Sequence, residues 1–250
     1  MNVYLPLFNI FEENLVLQKY RNATQDEIRQ SNYDLNLVTR GIPIYQIILE
    51  NHLQSAMYMA NKGEDNQLEF AIDDIIEKSK VFKVWRSYMP SKIPQFLWNY
   101  QNRYARCNVF NVDKEINNIG IKLSVGQTLI HGGYWYNHST DTIITDRPLS
   151  TTFCPQVALR NAEWCGKAYD NERIDIMVLR VLSPRTNVYV FKQKGTDKGH
   201  EKEVVFASGA KLTKVKEHYI THRTAYKSDN NSQQLLEKLV PIYVLEVNIS

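Results

Sequence analysis

Gly199-His200-Glu201-Lys202-Glu203-Val204-Val205-Phe206 is the stretch on which the fold turns. Its β-branched and aromatic end reads as a strand, so the glutamates at i and i+2 would share one face of it. About fifty residues upstream, Leu149-Ser150-Thr151-Thr152-Phe153 has the same period and pairs Ser150 with Thr152. Pro155 then stands where a proline opens a helix. Two carboxylates and two hydroxyls at strand ends make a site that can hold a sugar and stabilise positive charge beside it.

Working outward, the chain changes character near Ile119. Short strand-like runs follow at 128–131, 174–182, 187–191, 203–206, 212–215 and 239–247. One helical run, 155–165, interrupts them, and Gly132-Gly133, Ser183-Pro184 and Ser208-Gly209 supply turns. Before that point the pattern is mainly helical. Residues 46–59 carry Ile47, Ile48, Leu53, Ala56, Met57 and Met59; residues 71–89 carry Ile72, Ile75, Ile76, Val81, Phe82 and Trp85, closed by Pro90. Pro94 starts a third helix through Phe96, Leu97, Tyr100 and Tyr104, an aromatic stripe suited to core packing. Helices first and strands afterwards predict an α+β fold rather than a βαβ wind. The expected division is a helical region at 1–118 packed on a strand-rich region at 119–250.

Composition narrows the function classes. The 250 residues suffice for one large domain or for a strand-rich domain with a smaller helical one. With 43% hydrophobic and 23% charged residues the chain falls outside the disordered class. A net charge of +3, its basic residues scattered rather than gathered in a stripe, gives no reason to expect nucleic acid. Cys107, Cys154 and Cys165 are an odd count without metal-ligand spacing, so reduced thiols and no metal are expected. No apolar run approaches the roughly eighteen residues of a membrane span. The opening Met1-Asn2-Val3-Tyr4-Leu5-Pro6-Leu7-Phe8 lacks a basic segment, and Pro6 and Asn9 break its apolar run, unlike a secretory signal. A soluble protein is expected, cytoplasmic or exported by a signal-less route.

The order of three motifs points to a family. Leu129-Ile130-His131-Gly132-Gly133, then Leu149-Ser150-Thr151-Thr152-Phe153, then Glu201-Lys202-Glu203-Val204-Val205 resembles the mono-ADP-ribosyltransferases, which include bacterial toxins and injected effectors. The similarity covers roughly residues 119–250. Between the motifs, the helix with Val157-Ala158-Leu159, the strand Ile176-Met177-Val178-Leu179-Arg180-Val181 and the turn Ser208-Gly209-Ala210-Lys211-Leu212 fit it too. Ser-Thr-Thr and Glu-x-Glu each occur often by chance; the series in order carries the signal.

The resemblance implies two sheets around an NAD cleft, with NAD as co-substrate, a target protein, such as a host protein, as acceptor, and a toxin or secreted effector as the biology. Breaking the bond from nicotinamide to its ribose leaves positive charge on the sugar, a problem that glycosidases solve with carboxylates. By this resemblance Glu203 stabilises that charge and binds the nicotinamide-ribose hydroxyl, and Glu201 orients or deprotonates the acceptor. Ser150 braces Glu203, with Thr151 and Thr152 beside it and His131 and Gly132 on the NAD-binding strand. The polar loop with Lys192, Gly195, Lys198 and His200 meets the substrate, and the region 1–118 helps to select it. Acceptors other than arginine stay open.

One position departs from the pattern. Members with paired glutamates carry arginine where His131 stands, whereas histidine there resembles the diphtheria-toxin and poly-ADP-ribose-polymerase branch. Neutral imidazole can bond a ribose hydroxyl but lacks the bidentate fork that arginine offers a phosphate. Arg147 or Arg160 could supply the missing charge. Arg40, in Val38-Thr39-Arg40-Gly41-Ile42, looks locally like the family's arginine strand but lies 110 residues before Ser150.

Each motif has a plainer reading. His131 could be satisfied by a turn carbonyl, Ser150-Thr151-Thr152 could cap the following helix, and the glutamates could be a solvated strand edge. Tyr134-Trp135-Tyr136 could stack a ring or pack a rim. A catalytically degenerate binding module of the same fold is the alternative function. Cys154 lacks a nucleophile signature, and no glycine-rich nucleotide motif or zinc-protease motif occurs.

Overall fold

The β-branched runs of the second half pair into one mixed sheet of eight strands, and helices of the first half close over it. The computed structural model describes residues 3–136, 139–196, 198–228 and 234–250. Its strands are β1 (Val3–Leu5), β2 (Leu15–Arg21), β3 (Ile42–Leu49), β4 (Ile121–Leu123), β5 (Thr128–Gly133) and β6 (Thr142–Ile144). Then come β7 (Leu149–Thr152), β8 (Ile174–Val181), β9 (Val188–Val190), β10 (Glu203–Phe206), β11 (Lys211–Ser228) and β12 (Leu235–Ile249). The helices are α1 (Gln25–Gln30), α2 (Leu35–Arg40), α3 (His52–Lys62), α4 (Asn66–Lys78), α5 (Lys80–Ser87), α6 (Gln95–Asn102), α7 (Val109–Ile119), α8 (Pro155–Glu163) and α9 (Lys167–Asn171). Among the described residues no helix is long and apolar enough to cross a membrane.

The sheet order is β6-β11-β12-β8-β5-β7-β10-β9. Only β12 and β8 run parallel within it. β5 follows β8 along its whole length, from Thr128↔Arg180 to Gly133↔Asp175, yet meets β7 at the one pair Ile130↔Thr152. That pinch divides a wing of five strands from a wing of three, β7-β10-β9. The fold is α+β, and the two expected sheets are joined here through that single pair. α8 lies so close to β5 that a Cβ on Gly132 would stand 1.6 Å from the Ala158 carbonyl oxygen, so only glycine fits.

One apolar cluster runs through both halves of the chain. Phe153, directly after the Ser-Thr-Thr stretch, has no exposed surface and stacks among Phe8 (5.2 Å between ring centroids), Trp85 (5.7 Å) and Phe82 (6.1 Å). Trp85 Nε1 donates to the Pro6 carbonyl at 2.7 Å. The end of β7 is therefore set by side chains from the first ninety residues. β1 pairs in parallel with β4, a further tie between the N-terminal segment and the later chain.

Several sequence expectations shift. Residues 46–59 are not one helix: Ile42–Leu49 is strand β3, paired with β2, and helix begins only at His52, where the Asn51 side chain accepts from the Gln54 N–H. Ile44, Ile47 and Ile48 are β-branched, and that preference wins over helical spacing. Residues 71–89 divide at Ser79, whose extended backbone (ψ 123°) ends α4 and whose hydroxyl caps α5. The run expected at 212–215 is the start of the 18-residue β11, which pairs with β12 from Leu212↔Ile249 to Ser228↔Leu235. α6 begins after Pro94 as the sequence predicts.

Candidate active site

Antiparallel register sets Glu203 on β10 opposite Thr152 and Val205 opposite Ser150. Ser150 reaches across the ladder, its hydroxyl donating to Glu203 Oε1 at 2.5 Å. The other oxygen, Oε2, accepts from Gln101 Nε2 of α6 at 3.1 Å. Glu203 is 6% exposed and has no ion-pair partner among the described residues. Burial pushes its pKa up to about 7; the Ser150 bond opposes this, the nearby Glu201 charge adds to it, and Gln101 and Lys198 oppose it. A buried carboxylate held by neutral donors is poised for positive charge arriving beside it, because such charge would offset the cost of its burial.

The same hub extends to β5. His131 Nδ1 lies 2.6 Å from the Ser150 carbonyl oxygen, which can only accept. The proton is therefore on Nδ1, and Nε2 carries a free lone pair. Burial lowers the His131 pKa, the Ser150 carbonyl opposes, and the positive charges of Lys167 and Arg147 lower it further. The ring is neutral at physiological pH and offers an acceptor suited to a hydroxyl. His131, Ser150 and Glu203 thus form one connected line across three strands, at the pinch between the sheet wings.

The other sequence-predicted residues take different places. Glu201 does not share a strand face with Glu203. It closes the 3₁₀ turn Gly199–Glu201, and Lys202 follows at φ 50°, in the left-handed region. That twist breaks the strand period on which the pairing rested. Glu201 pairs with Lys198 at 3.1 Å and lies near enough to bias Glu203 electrostatically. Thr151 turns to the opposite face from Ser150, its hydroxyl bonding the Val204 carbonyl at 2.6 Å. Thr152 Oγ1 accepts from the Cys154 N–H at 3.1 Å and so caps the turn into α8. Gly132 lies under α8.

In the substrate-loop stretch, Lys192 Nζ bonds the Ser91 carbonyl, and Gly195 (φ 75°) has open space around it. His200 is exposed, and Asp197 lies outside the described residues. Arg40 ends α2 rather than standing on a strand, and Arg160 is engaged with Glu69 at 2.5 Å. Arg147, exposed beside His131, is the remaining cation of the three considered. Trp135 is fully buried, bonded to Asp175 and Thr140, while Tyr134 and Tyr136 are exposed. Burial pushes the Cys154 thiol up to about 11, which leaves it protonated and unreactive. Among the described residues no cluster of three or more His, Cys, Asp or Glu side chains could hold a metal ion.

Two features were not readable beforehand. Gln101 sits within the α6 stripe that reads as core, 102 residues from its partner Glu203. Its carbonyl Oε1 is buried without a partner, because an ionised Glu203 takes the amide N–H side. Lys202, between the two glutamates, is buried against α4.

The site is an anionic centre braced by hydroxyl and amide, with a neutral imidazole and two cations alongside, set in an α+β sheet. No family model and no curated protein matches the chain. Among solved structures it is similar to the ADP-ribosyltransferase Vis in complex with agmatine, at 14% identity and TM-score 0.35, over 92% of this chain and 87% of that one. It is also similar to the C3larvin toxin, an ADP-ribosyltransferase from Paenibacillus larvae, at 12% identity and TM-score 0.36, over 69% and 94%. The enzymatic component C2-I of the Clostridium botulinum C2 toxin matches at 10% identity and TM-score 0.34, over 84% of this chain and 53% of that one. Likenesses at this identity and TM-score leave the functional reading to the geometry of the site itself.

Proposed function

We propose that this chain is an NAD-dependent mono-ADP-ribosyltransferase that moves ADP-ribose from NAD to a side chain of a target protein, as a bacterial toxin or secreted effector does. The observation that carries the reading is Glu203: buried, bonded by Ser150 and Gln101, without an ion pair among the described residues, and joined through Ser150 to His131.

The residues present fit a dinucleotide. His131 Nε2 is an acceptor for a ribose hydroxyl, and Arg147 and Lys167 set positive charge beside it for phosphates. NAD supplies a glycosidic carbon with a neutral leaving group, nicotinamide. Glu203 in its ionised form stabilises the positive charge that develops on the sugar, and Ser150 and Gln101 hold its two oxygens in place. Removing such a preorganised group costs about 10²–10³ in rate. Glu201, half-buried on its turn, takes the proton from the attacking side chain in this reading. The loop with Lys192, Gly195, Lys198 and His200 meets the target, and the helices before residue 119 contribute to its choice.

The test is incubation of the protein and its Glu203→Gln variant with labelled NAD and a eukaryotic cell lysate. Label transferred by the first and lost with the second supports the transferase, and the labelled band leads to the target. Histidine at 131, in place of arginine, favours one rival, a degenerate binding module. That module binds a protein or a nucleotide without catalysis, so NAD binding without nicotinamide release or transfer favours it, and no NAD binding at all would overturn the transferase.

A further inference from the structure

Lys202 stands between the two glutamates, and the reaction as proposed makes no use of it. Its side chain has no exposed surface, yet Nζ lies 3.0 Å from Asp73 Oδ1 and 3.3 Å from Glu69 Oε1, both on α4, and donates to the His200 carbonyl at 2.8 Å. Glu69 is fastened in turn to α8, accepting from Gln156 Nε2 at 2.8 Å and Arg160 Nη2 at 2.5 Å. The backbone of Lys202 is left-handed (φ 50°), a conformation disfavoured for a residue with a Cβ.

A buried ion pair of this sort is poor value as stabilisation, since an apolar residue of similar volume often does as well or better. Its distinct effect is on geometry. The ammonium ties the carbonyl of the turn (His200) to a helix more than 120 residues upstream (133 positions separate Lys202 from Glu69). With the turn so tied, Glu201 is held out of β10 yet close enough to act on Glu203 electrostatically, while Glu203 remains in the ladder.

We propose that Lys202, with Glu69 and Asp73, is a positioning latch that fixes the Gly199–Glu201 turn and thereby the Glu201 carboxylate. Transfer to an acceptor depends on the latch more than bond breaking at Glu203 does. The inference deepens the transferase reading and rests on it for its kinetic arm; its structural arm is independent of NAD. The N-terminal helices then supply part of the site's alignment as well as a surface for the target.

The experiment compares Lys202→Met and the milder Asp73→Asn with the parent protein in three measurements. These are label transfer to lysate protein, nicotinamide release in water, and amide hydrogen exchange at residues 199–203 without NAD. The latch requires the transfer-to-release ratio to fall between about tenfold and a hundredfold in Lys202→Met, the scale expected of a misplaced group, and less in Asp73→Asn. Exchange in the turn should rise while β8 stays protected. An unchanged ratio with unchanged exchange overturns the latch, as does an equal fall of both activities. If the parent protein shows no NAD turnover, the transferase reading fails and the exchange arm alone decides whether the latch exists. Should Lys202→Met not fold, Asp73→Asn, whose side chain is 39% exposed, carries the comparison.

Discussion

Replacing Glu203 with glutamine should stabilise the protein at alkaline pH while abolishing its proposed chemistry. Burial raises the Glu203 pKa from 4.5 to about 7, chiefly because the charged form is desolvated. Below the lower value both folded and unfolded chains hold the proton, and the group contributes nothing. Between the two values the folded chain keeps a proton that the unfolded chain has lost, so stability falls as pH rises. Above the upper value the whole penalty is present, about 3 kcal/mol from two to three pKa units. Glutamine mimics the protonated acid: it can still accept from Ser150, and its amide can donate to the orphaned Gln101 oxygen once that side chain turns over. At roughly 2–4 °C per kcal/mol for a chain of this size, the variant should melt about 6–12 °C higher than the parent near pH 8 and at the same temperature near pH 4. Thermal unfolding followed by circular dichroism across that range is the assay. A difference that is flat with pH, or a variant less stable at pH 8, would refute the account of Glu203 as a carboxylate ionised against its surroundings. Such a trade of stability for activity is common where charge is stored in a site.

Other perturbations test the neighbouring contacts. Gln101→Ala removes one of the two donors to Glu203 and should move the midpoint of the pH profile for nicotinamide release upward by about one unit, the worth of a hydrogen bond to a charged group. A profile that stays in place would show that Gln101 has no hold on the carboxylate. Phe153→Ala opens a cavity among Phe8, Phe82 and Trp85 and should cost about 3–5 kcal/mol in urea unfolding, loosening β7 and with it Ser150. A loss under 1 kcal/mol would mean that the aromatic cluster is not what seats that strand.

The parts of the fold legible in the sequence were those where burial acts on consecutive residues. Ile174–Val181 and Glu203–Phe206 are β-branched, lie inside the sheet and declare themselves as strands. Lys216–Ser228 is not legible because exposed and half-buried polar residues dominate that part of β11, leaving no apolar period to read. The stretch at 46–49 was misread because Ile47 and Ile48 fit helix and strand spacing equally well over so few residues. The line His131, Ser150 and Glu203 could be listed from motifs, and the chain brings all three together. The shared face of Glu201 and Glu203 failed for a local reason, the left-handed Lys202, which no spacing rule anticipates in a non-glycine residue. Gln101, Glu69 and Asp73 are out of reach because Glu203 and Lys202, the residues they meet at the site, lie a hundred or more positions away along the chain, where only tertiary packing joins them.

The single pair that joins β5 to β7 has a consequence for how the molecule is born. Each wing of the sheet has full ladders of its own, whereas the seam between them offers one rung and the imidazole bond of His131. Closing a longer loop costs more, and the imidazole bond of the seam spans 19 positions where the Ser150–Glu203 bond spans 53, so the seam would shut before β10 arrives on β7. The line of reactive groups exists only once that seam is shut. A newly made and half-collapsed chain therefore holds these groups apart, and the carboxylate takes its place only when the long-range ladder between β7 and β10 is complete.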